Sequence, residues 1–250
     1  MLSDSSKKAS RTVLYGSLEE DERFTSVRRL VEYEDYILLK LKDAGLPSPE
    51  SFGFVEITPE REYMMVTEFL EGAKEMGDTE VTDEIIDDAL LVVRRLWDAG
   101  LAHRDIKPAN VMVRGNTVVL IDPAFATVRP SPWRQAVDLA NMMIILALRT
   151  SPDHVYERAL NYFTPDEIAE AFAATKGVTI PSQSRSSLAL VKRSEGVDIV
   201  QRFRELTPYR EPISIQRWSL RRIALALGAA FLLLLLLSLL IENIRGAGFI

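Results

Sequence analysis

The chain has 250 residues, 47% of them hydrophobic and 26% charged, with a formal net charge of −6. This balance suits one or two globular domains and offers no basic excess for binding nucleic acid. No cysteine is present, which excludes disulfides and thiol chemistry and fits a reducing compartment; two histidines leave no plausible zinc site.

The chain begins with Ser-rich sequence around Lys7 and Lys8, and Thr12–Tyr15 reads as a remnant of a strand or helix. Val31–Leu41 has helical spacing, with Leu30, Ile37, Leu38 and Leu41 apolar, and stops at Ala44-Gly45-Leu46-Pro47. Ser51–Ile57 and Tyr63–Phe69, joined by a turn at Thr58-Pro59-Glu60, read as a β-hairpin running into Glu68-Phe69-Leu70-Glu71-Gly72. The acidic stretch Glu71–Asp88 reads as a solvated face, partly explained by the preference of acids for a helix start. Thr82 could cap a helix from about Asp83 to Ala99, with Ile85, Ile86, Leu90, Val93 and Leu96 buried and Gly100 as its stop.

That helix delivers the chain to His103-Arg104-Asp105-Ile106-Lys107-Pro108-Ala109-Asn110. Val111–Val113 and Thr117–Ile121 then form a second hairpin across Arg114-Gly115-Asn116, and the second strand ends at Asp122. Leu139–Leu148 reads as a mostly buried helix. Ser151–Lys176 contributes one or two more, with Thr164-Pro165-Asp166-Glu167 as a cap and first turn. Gly177–Ser187, holding Pro181 and four serines, reads as a loop or linker.

From Arg185 to Arg222 there are nine Lys and Arg against four acids. Ile223–Ile241 follows, nineteen residues without a charge. As a helix it spans about 28 Å, near the thickness of a bilayer's hydrocarbon core. It is expected to cross a membrane once. Arg217, Arg221 and Arg222 precede it with Trp218 as an interfacial anchor, and Arg245 alone follows. Positive-inside orientation puts the N-terminal domain at the cytoplasmic face of the cell membrane, and the basic stretch would attract anionic membrane lipids.

The segment His103–Asn110, with its hairpin and Asp122, resembles the H-R-D-x-x-x-x-N catalytic loop and following metal-binding Asp of the protein-kinase-like superfamily. The resemblance implies an α+β, protein-kinase-like two-lobed fold, with an incomplete N-lobe, a helical C-lobe and the C-terminal transmembrane helix. It implies transfer of the γ-phosphate of ATP to a hydroxyl acceptor, with Mg²⁺ as cofactor. Asp105 would accept the acceptor's proton, and Lys107 would contact the γ-phosphate. Asn110 and Asp122 would hold Mg²⁺. Glu34, or alternatively Glu32, matches the helix Glu that pairs with a strand Lys. Backbone groups of Glu68 and Leu70 would face adenine, with Thr67 at the back of the nucleotide pocket. Asp138 looks like the helix Asp that holds the catalytic loop from below.

The chain departs from the family pattern in three places. Asp122 is followed by Pro123-Ala124-Phe125, and proline fixes φ and lacks an N–H. Only fifteen residues separate Asp122 from Asp138, leaving no room for a long peptide-binding platform. The short link is similar to that of lipopolysaccharide-core sugar kinases and aminoglycoside phosphotransferases, and favours a lipid, glycan precursor or small molecule as acceptor. No G-x-G-x-x-G and no apolar strand Lys precede the helix, so either the chain starts inside the first lobe or that lobe is degenerate. The expected division is 1–20 remnant, 21–70 partial N-lobe, 71–205 C-lobe, 206–222 basic linker, 223–241 span and 242–250 tail. A scaffold without turnover and a membrane-bound protein Ser/Thr kinase stand as alternatives.

Overall fold

A computed structural model describes residues 26–57, 62–175, 177, 179–212 and 220–246. The turn at Thr58-Pro59-Glu60, the N-terminal remnant, Arg217 and Trp218 lie outside the described residues. The fold is α+β, with small antiparallel sheets and a helical C-terminal half. The chain divides into two compact units, Glu22–Ile213 and Met1–Asp21 with Ser214–Ile250.

In the larger unit, helix α1 (Val27–Asp43) starts at Ser26, whose hydroxyl accepts from the Arg29 N–H. Its apolar side, Val31, Ile37, Leu38 and Leu41, is buried. Strands β1 (Ser51–Glu56) and β2 (Tyr63–Thr67) form an antiparallel pair against it, and the Ser51 hydroxyl donates to the Asp35 carboxylate. The expected hairpin is present at these positions.

Two short pairings carry no sequence signature and were not anticipated. β3 (Lys74–Glu75) adds to the sheet of β5 (Val111–Arg114) and β6 (Thr117–Leu120). β4 (Leu101–Ala102) pairs with β7 (Thr127–Val128). The β5–β6 register, Val111 opposite Leu120 and Arg114 opposite Thr117, leaves a two-residue turn at Gly115-Asn116. Gly115 supplies positive φ there, at 62°.

Helix α2 (Asp83–Asp98) buries Ile86, Leu90, Val93 and Leu96 as its spacing predicts. Thr82 sits at its cap position without a side-chain bond to the helix backbone. α3 (Pro132–Ala147) begins well before residue 139 and is buried continuously from Ala136 to Ala147. α4 (Pro152–Ala159) and α5 (Pro165–Ala174) follow, the latter with a full Thr164–Glu167 capping box.

The region expected to be a loop at 177–187 is helical from its middle onward, in α6 (Ser182–Ser194). Pro181 precedes it with φ −56° and is a helix-start signal that the serine content masks. The serines fold back on their own helix, Ser186 donating to the Ser182 carbonyl and Ser187 to that of Gln183. α7 (Ile199–Leu206) closes the core through Phe203, stacked on Phe172 with ring centroids 4.5 Å apart.

Three of the nine cations counted from residue 185 onward are paired with acids within this unit. Lys192 pairs with Asp198, Arg202 with Asp153 and Arg210 with Asp166. Arg204 donates to the carbonyls of Phe172 and Thr175. The side chains of Arg217, Arg221 and Arg222, nearest the expected span, lie outside the described residues.

In the smaller unit, α8 (Leu220–Gly246) is a 27-residue helix. Among the described residues, no helix is long and apolar enough to cross a membrane. The expected span Ile223–Ile241 includes positions whose side chains are not described; the described ones, from Leu225 through Phe231 to Leu239, are exposed.

Phe203 is fully buried, so Phe203→Ala is expected to lower the unfolding free energy of the larger unit by about 3–5 kcal/mol. Urea unfolding followed by circular dichroism checks this, and a loss below 1 kcal/mol would mean α7 is not part of the core.

Candidate active site

Residues 103–110 carry little regular structure, so other elements must fix their shape. The Asp138 carboxylate, on α3 and 2% exposed, accepts from the N–H of His103 at 2.6 Å and of Arg104 at 2.8 Å. Arg104 adopts φ 66°, a left-handed conformation costly for a residue with a Cβ, and this grip holds it there. Two consecutive N–H groups turned toward one carboxylate are what such a kink produces. Burial pushes the Asp138 carboxyl up to about 7, against the downward pull of its two N–H donors.

The His103 ring is buried and its Nε2 donates to the Ile121 carbonyl at 3.1 Å. Burial pushes its pKa down, so the ring is neutral with its proton on Nε2. The Ile121 N–H donates to the Asn110 carbonyl at 3.1 Å. Ile121 is therefore tied to both ends of the 103–110 segment, and Asp122 follows it directly. Asp122 is exposed and left-handed at φ 58°, a conformation Asp tolerates better than most residues.

Lys107 Nζ donates to Asp105 Oδ2 at 2.5 Å. Asn110 Nδ2 donates to the Asp105 carbonyl at 3.0 Å and to Asp105 Oδ2 at 3.1 Å. Asp105, Lys107 and Asn110 thus converge, and Asn110 spends its amide nitrogen on Asp105, leaving Oδ1 as its oxygen for a cation. A 3₁₀ turn, Pro108–Asn110, makes this possible by bringing Asn110 back over Asp105.

Helix α1 docks on the segment after Asp122: the Tyr33 hydroxyl donates to the Ala126 carbonyl at 3.0 Å. Glu34 lies on this side of α1. Burial is the main cause raising its pKa, and the nearby Asp122 charge adds to it. Glu32 is paired instead with Arg28 and Arg29 on the outer face of the helix. Of the two candidate glutamates, only Glu34 approaches Asp122. No Lys or Arg pairs with it among the described residues.

The Glu68 N–H donates to the Glu50 carbonyl, and its carboxylate accepts from the Glu50 N–H and from Arg114. Those bonds hold Glu68's carboxylate below its ordinary range. Among the hydrogen bonds of the described residues, none uses the Glu68 carbonyl or the Leu70 N–H. Thr67 ends β2 and is exposed.

Mg²⁺ prefers a few hard oxygen ligands and keeps several waters. Asn110 Oδ1 and the Asp122 carboxylate are donors of that kind. Among the described residues no three His, Cys, Asp or Glu gather as a larger metal cluster. Sequence reasoning missed the role of Gln183, whose Oε1 accepts from the Ala109 N–H at 3.3 Å; a loop assignment for its segment hid it. No protein-family model and no curated protein matches the chain.

Asp138→Ala strands two backbone N–H groups and is expected to cost on the order of 2–5 kcal/mol, read as a lower urea midpoint. Glu34 yields a pH-dependent outcome. Its folded pKa is raised, so the folded state holds the proton more tightly and its contribution to stability falls as pH rises through the carboxylate range. Glu34→Gln should therefore melt above the wild type at pH 8, with the difference shrinking toward pH 4. Melting temperatures across that range decide, and an unchanged difference would remove Glu34 from a buried carboxylate environment.

Proposed function

We propose that the chain is a protein-kinase-like phosphotransferase that moves the γ-phosphate of ATP to a hydroxyl acceptor at the cytoplasmic face of a membrane. The observation that carries the reading is the convergence of Asp105, Lys107 and Asn110 in a loop held by Asp138. Phosphoryl transfer asks a protein chiefly to position groups and to balance charge that spreads over the transferred oxygens. Asp105 is a carboxylate base able to take the acceptor's proton and aim its oxygen. Lys107, resting on Asp105, supplies a cation for the phosphate, with three donors on a flexible stem. Asn110 and Asp122 would hold Mg²⁺, which would supply positive charge to neutralise phosphate oxygens. The free Glu68 carbonyl and Leu70 N–H are the adenine-facing groups of this reading.

The segment after Asp122 supports a small or lipid-linked acceptor over a peptide. It folds back at once, with Val128 opposite Leu101 and the Arg129 N–H donating to the Gly100 carbonyl. Little chain remains free to hold an extended peptide. Helix α8 would serve as the membrane anchor, and its support is the uncharged sequence Ile223–Ile241.

A pseudokinase scaffold is the second reading, and one observation favours it: Glu34 meets Asp122 without a paired cation among the described residues. Titration of the full-length chain with ATP, in the presence and absence of Mg²⁺, separates the two. Metal-dependent binding, with Asp105→Asn lowering kcat by about 10²-fold or more at similar ATP affinity, is expected for the enzyme. Absence of Mg²⁺-dependent binding leaves the scaffold, and full turnover in Asp105→Asn removes Asp105 as the base.

A further inference from the structure

The 3₁₀ turn Pro108–Asn110 has a defined shortage of hydrogen bonds. In such a turn the first N–H groups have no partner within the element. Pro108 has no N–H to satisfy, and the Asn110 N–H reaches the Lys107 carbonyl at 2.9 Å. That leaves the N–H of Ala109 as the turn's single orphan donor. Its partner comes from 74 residues further along the chain, in the first turn of α6: Gln183 Oε1 at 3.3 Å.

Gln183 is itself exposed, but its neighbours are fixed. Pro181 and Ser184 on either side are buried. The Asn141 side chain donates to the Thr179 carbonyl, and the Arg185 guanidinium to that of Gly177. Asn141 stands one helical turn beyond Asp138 on α3. One helix thus holds the 103–110 segment twice: directly at His103 and Arg104 through Asp138, and at Ala109 through Asn141, residues 179–183 and the Gln183 side chain. The four residues between those two grips, Asp105 to Pro108, include Asp105 and Lys107.

We infer that Gln183 is a positioning residue for the phosphotransfer loop, setting the turn that places Lys107 and Asn110 around Asp105. It touches neither nucleotide nor acceptor in this role. The inference rests on the reading of residues 103–110 as a phosphotransfer loop. Its chemistry requires an acceptor atom at position 183, which Gln and Glu supply and Leu does not.

The test uses the full-length chain in detergent with Gln183→Leu and Gln183→Glu. Hydrogen exchange at residues 105–110, the melting temperature, and kcat and KM for ATP are measured on all three proteins. At an exposed position the melting temperature should stay at the wild-type value in both variants. The Leu variant should exchange faster at Ala109 and lose about tenfold in kcat with KM for ATP little changed, and the Glu variant should restore both. Wild-type exchange in the Leu variant overturns the inference. So does faster exchange with unchanged kcat, or failure of Glu to restore turnover. A wild-type chain that transfers no phosphate sinks the phosphotransfer reading instead, while the exchange data still decide whether Gln183 holds the loop.

Discussion

The two hydrogen bonds that the N–H groups of His103 and Arg104 donate to the Asp138 carboxylate are the constraint on which the candidate site depends. A buried carboxylate is costly unless its oxygens are satisfied, and here both are used on consecutive backbone donors. Presenting those donors together forces Arg104 into a left-handed conformation. The same kink turns His103 inward, where its ring reaches the Ile121 carbonyl and so fixes the approach to Asp122. Helix, loop and strand end are coupled through one side chain.

How much of this could be read from residues alone varied with the range of the interaction. The 103–110 segment, the β5–β6 hairpin and the caps of α5 were legible because their signals lie within a few neighbouring positions. Asp138 was legible only through its resemblance to a family pattern. The pairings of β3 with β5 and of β4 with β7 were not, since two-residue strands have no periodicity to detect. Helix α6 was hidden by serine, whose hydroxyls favour turns until they find carbonyls on their own helix. Glu34 was preferred to Glu32 from its place in the sequence; the ion pairs that Glu32 makes with Arg28 and Arg29 were not legible there. The partners of Arg202 and Arg210, Asp153 and Asp166, were not legible either, because they come from earlier helices.

Stability is distributed unevenly around the site. α3 is buried along most of its length and carries both grips on the 103–110 segment. The β1–β2 pair, in contrast, is only two strands wide and leaves Phe52, Val55, Met64 and Val66 exposed. A two-stranded sheet of that kind depends on packing against a helix, here α1, for its order. The parts proposed to do chemistry therefore stand on the rigid side, and those proposed to face adenine stand on the side of lower local stability. Nucleotide contacts made at Glu68 and Leu70 would add to what holds that hairpin in place.

Charge balance bears on both proposed readings, enzyme and scaffold. Glu34 and Asp122 approach one another from different elements, and among the described residues no lysine or arginine pairs with Glu34. Burial is the main cause of the upward pull on Glu34, and repulsion between the two carboxylates adds to it. On the other side of the site Asp105 is neutralised by Lys107. The arrangement is thus cation-poor at the Glu34–Asp122 side and balanced at the Asp105 side. A nucleotide arriving alone would meet repulsion there, whereas a nucleotide carrying a divalent ion would relieve it. The proposed enzyme therefore requires its metal for binding as well as for transfer, and a scaffold has no such requirement.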